Sequence, residues 1–387
     1  MENGTLMAKN LMDDYPSIGH LEKRAKRRVP HFAWEYLEMG TGEDEARDRN
    51  ITALQEVLFL PQLMKGVLNP TVECELFGVK YDAPIGIAPV GLSGLIWPGA
   101  EDALAATAAD KRIPYMLSTV ATAAPETIGP ACDGMGWFQL YPPRDPEIRA
   151  DMLERVAASG FTTLVVTADV PAPSRRERQR KARVRVPPKI GPRLVAQAAI
   201  RTPWAISTVR HGLPRFRGLE KYIDKATMKE TAGFVGANLG GTLSFDYLSE
   251  VREIWDGPLV VKGILDPDDA AKAVDHGADG IQVSNHGGRQ LDGAPGAIDA
   301  LVPILDRVGD QVPVIFDSGV RTGLDVARAV ALGADFVFCG RAFMFALGAL
   351  GPKGAPLAYE ILKEGLVSVL AQTGCETMDQ LPSRLIR

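Results

Sequence analysis

Several features that would place a protein in a specialised class are missing from this 387-residue sequence. Its four cysteines, Cys74, Cys132, Cys339 and Cys375, lie far apart, with neither a CxxC pair nor a Cys/His spacing typical of a metal site. We therefore expect free thiols in a reducing compartment and no bound metal. The first residues lack the basic and then apolar pattern of a secretory signal, which favours a cytoplasmic location.

Long apolar runs and an excess of positive charge are missing as well. No stretch reaches the roughly 18 apolar residues of a membrane-spanning helix, and the nearest, residues 83–97, is interrupted by proline and glycine. The formal net charge of −5 gives no overall attraction to nucleic acid or to acidic lipid. The remaining composition, 46% hydrophobic and 24% charged, is that of an ordinary globular protein.

From residue 84 onward, short apolar runs alternate with segments of helical spacing. Eight runs predict strands, at residues 85–88, 115–118, 137–140, 163–167, 259–262, 280–284, 314–317 and 336–340. Alternating strands and helices predict an α/β fold with a parallel sheet and right-handed crossovers. Eight such units in about 260 residues match a closed (β/α)8 barrel, the TIM barrel. A doubly wound sheet is the alternative, but no GxGxxG motif follows the first strand.

Two additions to this barrel are predicted, and the first is an N-terminal extension at residues 1–83. It contains two short helices, at residues 16–28 and 31–39. Two extended pieces follow, on either side of Asn69-Pro70. The helical segment therefore precedes the first barrel strand.

The second and longer addition is an insert after the fourth strand, at residues 172–245. It is very basic from 174 to 189 and becomes amphipathic from 192 to 210. An insert of this length is typical of a lid or a binding surface. We therefore predict one domain, residues 1–387, with its barrel at about 84–350.

The strongest signal for a functional site is the stretch from Ile281 to Gly293. It begins as a strand and then breaks into Ser-Asn-His-Gly-Gly-Arg at residues 284–289. The imidazole of His286 titrates near neutrality, and the guanidinium of Arg289 can hold a carboxylate with two parallel hydrogen bonds. A solvated polar loop is the alternative, but the glycine pair disfavours it. The pattern predicts a proton acceptor beside an anion clamp.

The ends of the other predicted strands also carry polar or glycine residues, and barrel enzymes keep their chemistry at these ends. Asp317 to Arg321 and Cys339 to Arg341 follow strands seven and eight, where barrels build phosphate sites from backbone N–H groups. A pair of tight turns is the alternative there. The ends of the earlier strands carry Ser118, Gln139 and Thr167, which can hydrogen-bond a planar heterocycle. Lys262 can supply a fixed positive charge to a reduced ring.

Taken together, these motifs resemble those of the FMN-dependent α-hydroxy acid oxidases and dehydrogenases, a family that includes glycolate oxidase, lactate oxidase, mandelate dehydrogenase and bacterial L-lactate dehydrogenase. The resemblance runs from about residue 15 to residue 376, and SNHGGRQLD at 284–292 is its most specific motif. Seven further motifs support it: IAPVG (87–91), LSTVAT (117–122), WFQLY (137–141), TADVP (167–171), RRE (175–177), VKG (261–263) and DSGVRTGLDV (317–326).

The resemblance implies roles for individual residues. FMN would be held by Pro89, Val90, Gly91, Ser118, Gln139, Thr167, Lys262, Ser284, Asp317, Gly319, Arg321, Gly340 and Arg341, the last glycines and arginines lying at its phosphate. The substrate would be bound by Tyr36, Tyr141, Arg176 and Arg289. The catalytic set would be His286 as base, Asp169 as its carboxylate partner, Tyr141 and Lys262. By its helical position alone, Tyr36 would be a core residue, so its role rests on the resemblance.

The implied reaction is the two-electron oxidation of an (S)-2-hydroxy acid, lactate-like or mandelate-like, to the 2-oxo acid. His286 would take a proton either from carbon, which leaves a carbanion, or from oxygen during hydride transfer. Electrons would pass on to a quinone, a cytochrome or another carrier. Family members are usually homotetramers, and we expect no haem domain before the barrel.

Three alternatives to this dehydrogenase are considered. One is an oxidase that passes its electrons to O2 and makes hydrogen peroxide. Another is an FMN-binding isomerase, which SNHGGRQ and RRE disfavour. The third is a non-catalytic flavin, membrane or nucleic-acid binding protein that uses the basic patch from Arg175 to Lys189; we expect no nucleic-acid partner.

Departures from the oxidase pattern favour the mandelate dehydrogenase side of the family. Val120 stands where glycolate oxidases carry a Trp, which predicts room for a larger or differently shaped acid, and Gly91 stands where oxidases commonly have Ala. Trp97-Pro98-Gly99 and residues 203–212 also resemble mandelate dehydrogenase, whose matching insert attaches the enzyme to the membrane. We therefore predict that residues 185–215 contact an anionic membrane peripherally, on the cytoplasmic face of the inner membrane. A lid packed on the barrel or on a neighbouring subunit is the alternative.

Overall fold

The structure, a computed structural model, describes residues 11–184, 191–223, 228–240 and 243–386. The last part of the predicted basic segment, from residue 185 to Lys189, lies outside the described residues. The N-terminal extension begins with three helices, α1 (Ile18–Arg28), α2 (His31–Glu38) and α3 (Glu45–Glu56).

Of the two extended pieces predicted on either side of Asn69-Pro70, only the second forms a β-sheet. The piece after Pro70 forms an antiparallel pair, β1 (Cys74–Leu76) and β2 (Val79–Tyr81). The piece before Pro70 makes only one isolated bridge, between Phe59 and Leu385. A closed barrel has no free strand edge with which this piece could pair.

The predicted TIM barrel is confirmed. Its strands are β3 (Ile85–Ile87), β4 (Tyr115–Ser118), β5 (Gly136–Leu140), β6 (Thr163–Thr167), β7 (Leu259–Ile264), β8 (Gly280–Val283), β9 (Val314–Asp317) and β10 (Phe336–Cys339). They pair in parallel in sequence order, and β10 closes the barrel against β3. All residues of β4, β5 and β6 are buried, because helices cover a barrel sheet outside and side chains fill it inside.

Aromatic side chains fill the barrel beneath its carboxyl end. The ring centroids of Trp137 and Phe338 lie 5.1 Å apart, and those of Phe336 and Phe338 lie 5.6 Å apart. Trp137 also packs against Phe77, which lies in the turn between β1 and β2, at 5.8 Å. The packed interior leaves the open space of the barrel at the carboxyl ends of the strands.

The helices that follow β3 to β5 are α4 (Ser93–Ile96), α5 (Ala100–Lys111), α6 (Pro125–Ala131) and α7 (Pro146–Ala158). The insert adds α8 (Glu177–Lys181), α9 (Pro192–Ala199), α10 (Thr202–His211) and α11 (Met228–Asn238). The remaining helices are α12 (Phe245–Ile254), α13 (Pro267–Asp275), α14 (Ala297–Val308), α15 (Gly323–Ala331), α16 (Arg341–Leu350) and α17 (Gly354–Thr373). Side chains cap several helix starts: Asp145 and Asp266 precede a proline at the first helical position, and Thr322 forms a capping box with Asp325.

The insert lies against the barrel through one face of α10. Trp204 is buried and its indole N–H donates to the carbonyl of Leu95 at 3.1 Å, while the Ser207 hydroxyl donates to Pro98 at 3.2 Å. The opposite face is open, with Ile206 47% and Val209 85% exposed. Within the described residues, no helix is long and apolar enough to cross a membrane.

Candidate active site

A cavity of about 180 Å³ lies at the carboxyl end of the barrel. Most of the residues predicted from the strand ends line it: Tyr36, Pro89, Val90, Gly91, Gln139, Tyr141, Thr167, Arg176, Lys262, His286, Arg289, Asp317, Gly319, Arg321, Gly340 and Arg341. Three predicted residues, Ser118, Asp169 and Ser284, do not line the cavity but hydrogen-bond to residues that do. The structure therefore brings the predicted site together.

The glycine pair after β8 shapes the loop that carries His286. His286 itself has a φ of 57°, and Gly287 and Gly288 follow at 64° and 75°, so three consecutive residues lie in the left-handed region. A Cβ on Gly288 would lie 2.3 Å from the backbone N of Arg47, and glycine is therefore required there. Behind this loop, Asn285 exchanges two amide hydrogen bonds of 2.7 Å with Asn50 of α3.

His286 forms a buried pair with Asp169. Its Nδ1 lies 2.6 Å from Asp169 Oδ1, so Nδ1 carries the proton and the Nε2 lone pair faces the cavity. Burial lowers the pKa of His286, although Asp169 opposes this effect. Burial by itself would raise the pKa of Asp169, but His286 and Lys262 outweigh it and hold that pKa at about 2. The pair thus holds a neutral imidazole against an ionised carboxylate near neutral pH.

Lys262 provides a fixed positive charge beside this pair. Its Nζ donates to Ser284 Oγ at 2.9 Å and lies 3.4 Å from both Asp169 Oδ2 and Asp317 Oδ2. Burial would lower the pKa of Lys262, but the two carboxylates outweigh it and raise the pKa above its usual range. Gln282, fully buried below, donates to Asp317 Oδ2 at 2.7 Å. The ammonium is therefore held in place and charged.

A chain of neutral hydrogen bonds crosses three neighbouring strands. The Ser118 hydroxyl donates to Gln139 Oε1 at 2.7 Å, and Gln139 Nε2 donates to Thr167 Oγ1 at 2.8 Å. All three side chains are buried. The chain orients a row of donors and acceptors along one wall, as the edge of a planar heterocycle requires.

Three arginines on the opposite side, Arg289, Arg321 and Arg341, crowd together with main-chain carbonyls as their partners. Arg341 donates to Leu37, Gly287 and Met39, and within the described residues none of the three pairs with a carboxylate. Burial and the neighbouring Arg176 lower the pKa of Arg289 to about 10. Burial, Arg321 and Arg289 also lower the pKa of Arg341 well below its usual range. A cluster of this kind is completed by a bound anion.

Arg176 reaches the cavity from the start of the insert. Its φ of 45° turns the chain into α8, and its guanidinium donates to Ser174 Oγ at 3.0 Å. The neighbouring Glu177 accepts from Gly42 N at 2.8 Å. Sequence reasoning missed Arg178, which contacts Glu35, Glu38 and Asp44 of the N-terminal extension. These ion pairs secure the first turn of the insert to the extension.

Tyr36, Gly91 and Val120 form the wall next to the insert. The Tyr36 hydroxyl donates to the carbonyl of Gly91 at 2.8 Å, and its ring lies 5.3 Å from the Arg289 guanidinium. A Cβ on Gly91 would lie 2.7 Å from Val120 Cγ2, so these two residues set the width of the cavity together. Sequence reasoning missed the lining residues Leu37 and Phe338, and it assigned no individual role to Ala88, Gly287, Ser318 and Val320, which line the cavity as well.

Comparison with known proteins identifies the family. A profile described as FMN-dependent dehydrogenase matches residues 25–387. The chain belongs to the FMN-dependent dehydrogenase family. It is an oxidoreductase that uses FMN, and the family predicted from the motifs is confirmed.

Relatives in this family match the chain over nearly its whole length. An L-lactate dehydrogenase from Pseudomonas syringae is 38% identical over 364 residues, which cover 94% of this chain and 96% of the relative. The crystal structure of the monotopic membrane protein (S)-mandelate dehydrogenase superposes with a TM-score of 0.91 at 33% identity, covering 96% of this chain and 98% of the other. A lactate oxidase from Pediococcus acidilactici has a TM-score of 0.82 at 27% identity, with coverages of 96% and 94%.

The cavity suits the FMN on which the family depends. Arg321 and Arg341, together with the left-handed turns at Ser318 and Gly319, fit a dianionic phosphate. The hydrogen-bond chain through Gln139 and the charged Lys262 suit a ring that becomes anionic on reduction. A cofactor phosphate would also supply the anion that the arginine cluster lacks.

Proposed function

We propose that this FMN-dependent dehydrogenase oxidises an (S)-2-hydroxy acid to the 2-oxo acid and passes the electrons on to a quinone or a similar carrier. The observation that carries the proposal is the imidazole of His286, whose Nδ1 lies 2.6 Å from Asp169 Oδ1 and whose Nε2 can accept a proton in the cavity that Arg176 and Arg289 also line. Base and guanidinium groups side by side match the two ends of a 2-hydroxy acid. Lactate and mandelate appear in the names of the relatives and are the first candidates.

In this proposal each side chain acts on one part of the substrate. Arg176 and Arg289 bind the carboxylate, and the Tyr36 and Tyr141 side chains complete its pocket. His286 takes the proton at Nε2, where the Tyr141 hydroxyl lies 3.5 Å away. Asp169 stabilises the imidazolium that forms. FMN, when bound, would supply the acceptor for the two electrons.

The same proposal assigns the FMN contacts. Pro89, Val90 and Gly91 would contact the ring, and Gln139 and Thr167, supported by Ser118, would hydrogen-bond it. Lys262, held by Ser284, stabilises negative charge on the reduced ring. Asp317, Gly319, Arg321, Gly340 and Arg341 hold the ribityl phosphate end.

Peripheral membrane contact through the insert belongs to this proposal as well. The open face of α9 and α10 exposes Val195, Ile206 and Val209. Beside it runs a groove whose basic residues come from α1 and the insert: Lys23, Arg24, Arg27, Arg28 and Arg201. Apolar side chains next to cationic ones suit the interface of an anionic bilayer on the cytoplasmic side. The structural relative is itself described as a monotopic membrane protein.

Self-association is proposed on a separate surface. The segment before Pro70 exposes five large apolar side chains, Leu58, Leu60, Leu63, Met64 and Val67, at fractions from 53% to 103%. Contiguous exposed apolar residues mark interaction surfaces. We assign this segment to contacts between copies of the chain in a homotetramer. Light scattering that gives the mass of one chain at micromolar concentration would contradict the assignment.

The electron acceptor is tested by reoxidation. The enzyme is reduced anaerobically with its hydroxy acid and then mixed with either a soluble quinone or air-saturated buffer. The proposal predicts fast reoxidation by the quinone and slow reoxidation by oxygen. Fast reoxidation by oxygen with stoichiometric hydrogen peroxide would make the protein an oxidase instead.

A further inference from the structure

A second cavity adjoins the first on the side of the insert. Val120, Tyr141 and Arg176 line both cavities, so the two share a wall at the position proposed for the substrate. The second cavity has a volume of about 730 Å³ and opens toward solvent between the loop after β6 and α11. A side chain on carbon 3 of a bound hydroxy acid has open space in this direction.

The lining of the second cavity combines apolar and cationic side chains. Its apolar residues are Val120, Val170, Pro171, Ala172, Pro173, Val184, Val235 and Leu239. Its cationic residues are Arg144, Arg175, Arg176 and Arg180, and no described lining residue is acidic. An apolar passage that ends in positive charge suits a ligand with an apolar middle and an anionic end.

Two of these arginines, Arg144 and Arg180, can pair with an anionic group of a ligand. Arg176 serves the first cavity, and Arg175 lies 3.3 Å from Glu177. Arg144 and Arg180 are exposed, and no carboxylate among the described residues pairs with either of them. Both extend from backbone that is fixed locally: Arg144 N donates to Asn238 O at 2.9 Å, and Arg180 N donates to Arg176 O at 3.1 Å.

We propose that the preferred substrate is an elongated 2-hydroxy acid whose side chain ends in a second anionic group. The inference rests on the proposed function and names the substrate class for the same site. The 2-hydroxy carboxylate end binds at Arg176 and Arg289, the carbon chain passes Val120, and the distal anion meets Arg144 and Arg180. Val120, which lines both cavities, is small enough to leave this passage open.

The test compares substrates that differ only at the far end. Values of kcat/KM for FMN reduction are measured with (S)-2-hydroxyoctanoate and with (S)-2-hydroxyoctanedioate, and (S)-lactate serves as the short reference. We expect the dianion to be preferred over the monoanion of equal length by about tenfold, chiefly through KM, as two partly exposed ion pairs would give.

Variants connect that preference to the arginines. Arg144→Gln and Arg180→Gln should each reduce the ratio of the two kcat/KM values, and the double variant should bring it near one. The control, Arg307→Gln, removes an exposed arginine of α14 that pairs with Asp268 outside both cavities and should leave the ratio unchanged. Equal losses for monoanion and dianion would show general attraction of anions only and would overturn the inference.

Two further outcomes separate the inference from the proposed function. If (S)-lactate reduces the flavin while the dianion is no better than the monoanion, the substrate class is wrong and the function stands. If no hydroxy acid reduces the flavin, the proposed function fails. Calorimetric binding of 2-oxooctanoate against 2-oxooctanedioate then still decides the inference, which requires tighter binding of the dianion that the double variant Arg144→Gln/Arg180→Gln abolishes.

Discussion

At the scale of single residues, chemistry depends on the protonation of His286. Its Nδ1 faces the carboxylate of Asp169, and this contact leaves only Nε2 to accept a proton from substrate. Lys262 lies near enough to the same carboxylate to keep it ionised. Charge on Asp169 therefore fixes the tautomer and stabilises the imidazolium after proton transfer.

Replacing the base tests this assignment. His286→Gln should retain FMN, because the proposed ring and phosphate contacts come from other residues. Flavin reduction by substrate should fall by about 10²- to 10⁴-fold, the usual contribution of a general base. Stopped-flow absorbance measures the rate, and a variant that reduces its flavin as fast as the wild type would place the base elsewhere.

The pH dependence follows from the direction of the His286 shift. The base acts in its neutral form, and burial lowers its pKa below the ordinary value of 6.5. Thus kcat/KM should be full at neutral pH and should be lost on the acid side only as the pH falls through that lowered pKa. Asp169→Asn removes the charge that opposes the shift, so the acid limb should move to still lower pH and the plateau should fall. If the acid limb of kcat/KM moves to higher pH in Asp169→Asn, the pairing of His286 with Asp169 is contradicted.

Arg176 tests the carboxylate clamp. An ammonium lacks the planar fork of a guanidinium, so Arg176→Lys should raise KM and lower kcat/KM in spite of its unchanged charge. The matched control is Arg175→Lys, an exposed neighbour that lies outside the first cavity. Near-normal steady-state kinetics for Arg176→Lys would exclude the clamp.

Much of the site was predictable because the carboxyl ends of all the predicted strands lie at the same rim of the barrel. The residues that escaped prediction depend on contacts distant in sequence. Arg178, for example, pairs with Asp44, which lies 134 positions away. Tyr36 shows the same limit, since its helix position alone predicts a core residue and only the resemblance placed it in the site.

At the scale of elements, the barrel strands followed their sequence signals closely. Each predicted strand agrees with the structure within about two residues at either end. Helix α7 begins at Pro146, because Asp145 caps it and proline is favourable at the first helical position. The segment before Pro70 had no free strand to pair with, a fact that only the closed barrel reveals.

The insert combines the two alternatives considered for it. One face of α10 packs on the barrel through Trp204, as a lid would, and the other exposes Ile206 and Val209, as a membrane contact would. Because only one face of α10 is exposed, this helix is less uniformly apolar than a membrane anchor. The exposed face is the one that we propose to contact the membrane.

Liposome co-sedimentation tests that face. Wild type should sediment with anionic vesicles at low salt, and Ile206→Ser with Val209→Ser should weaken this binding while Trp204 keeps α10 on the barrel. Replacing residues 190–212 with a short Gly/Ser linker should abolish binding. If the wild type stays in the supernatant and is active, the membrane contact fails and the lid stands.

At the scale of the whole molecule, the barrel brings residues of the N-terminal extension, the insert and the strand ends together at its carboxyl rim. The central claim is that this rim holds FMN and reduces it with a 2-hydroxy acid. Its most direct test is an anaerobic visible spectrum of the purified protein, before and after the addition of a panel of (S)-2-hydroxy acids. We predict a yellow protein with one FMN per chain that at least one acid of the panel bleaches, while the (R)-enantiomer does not. A protein that carries FAD or no flavin, or whose FMN no 2-hydroxy acid reduces, would contradict the account.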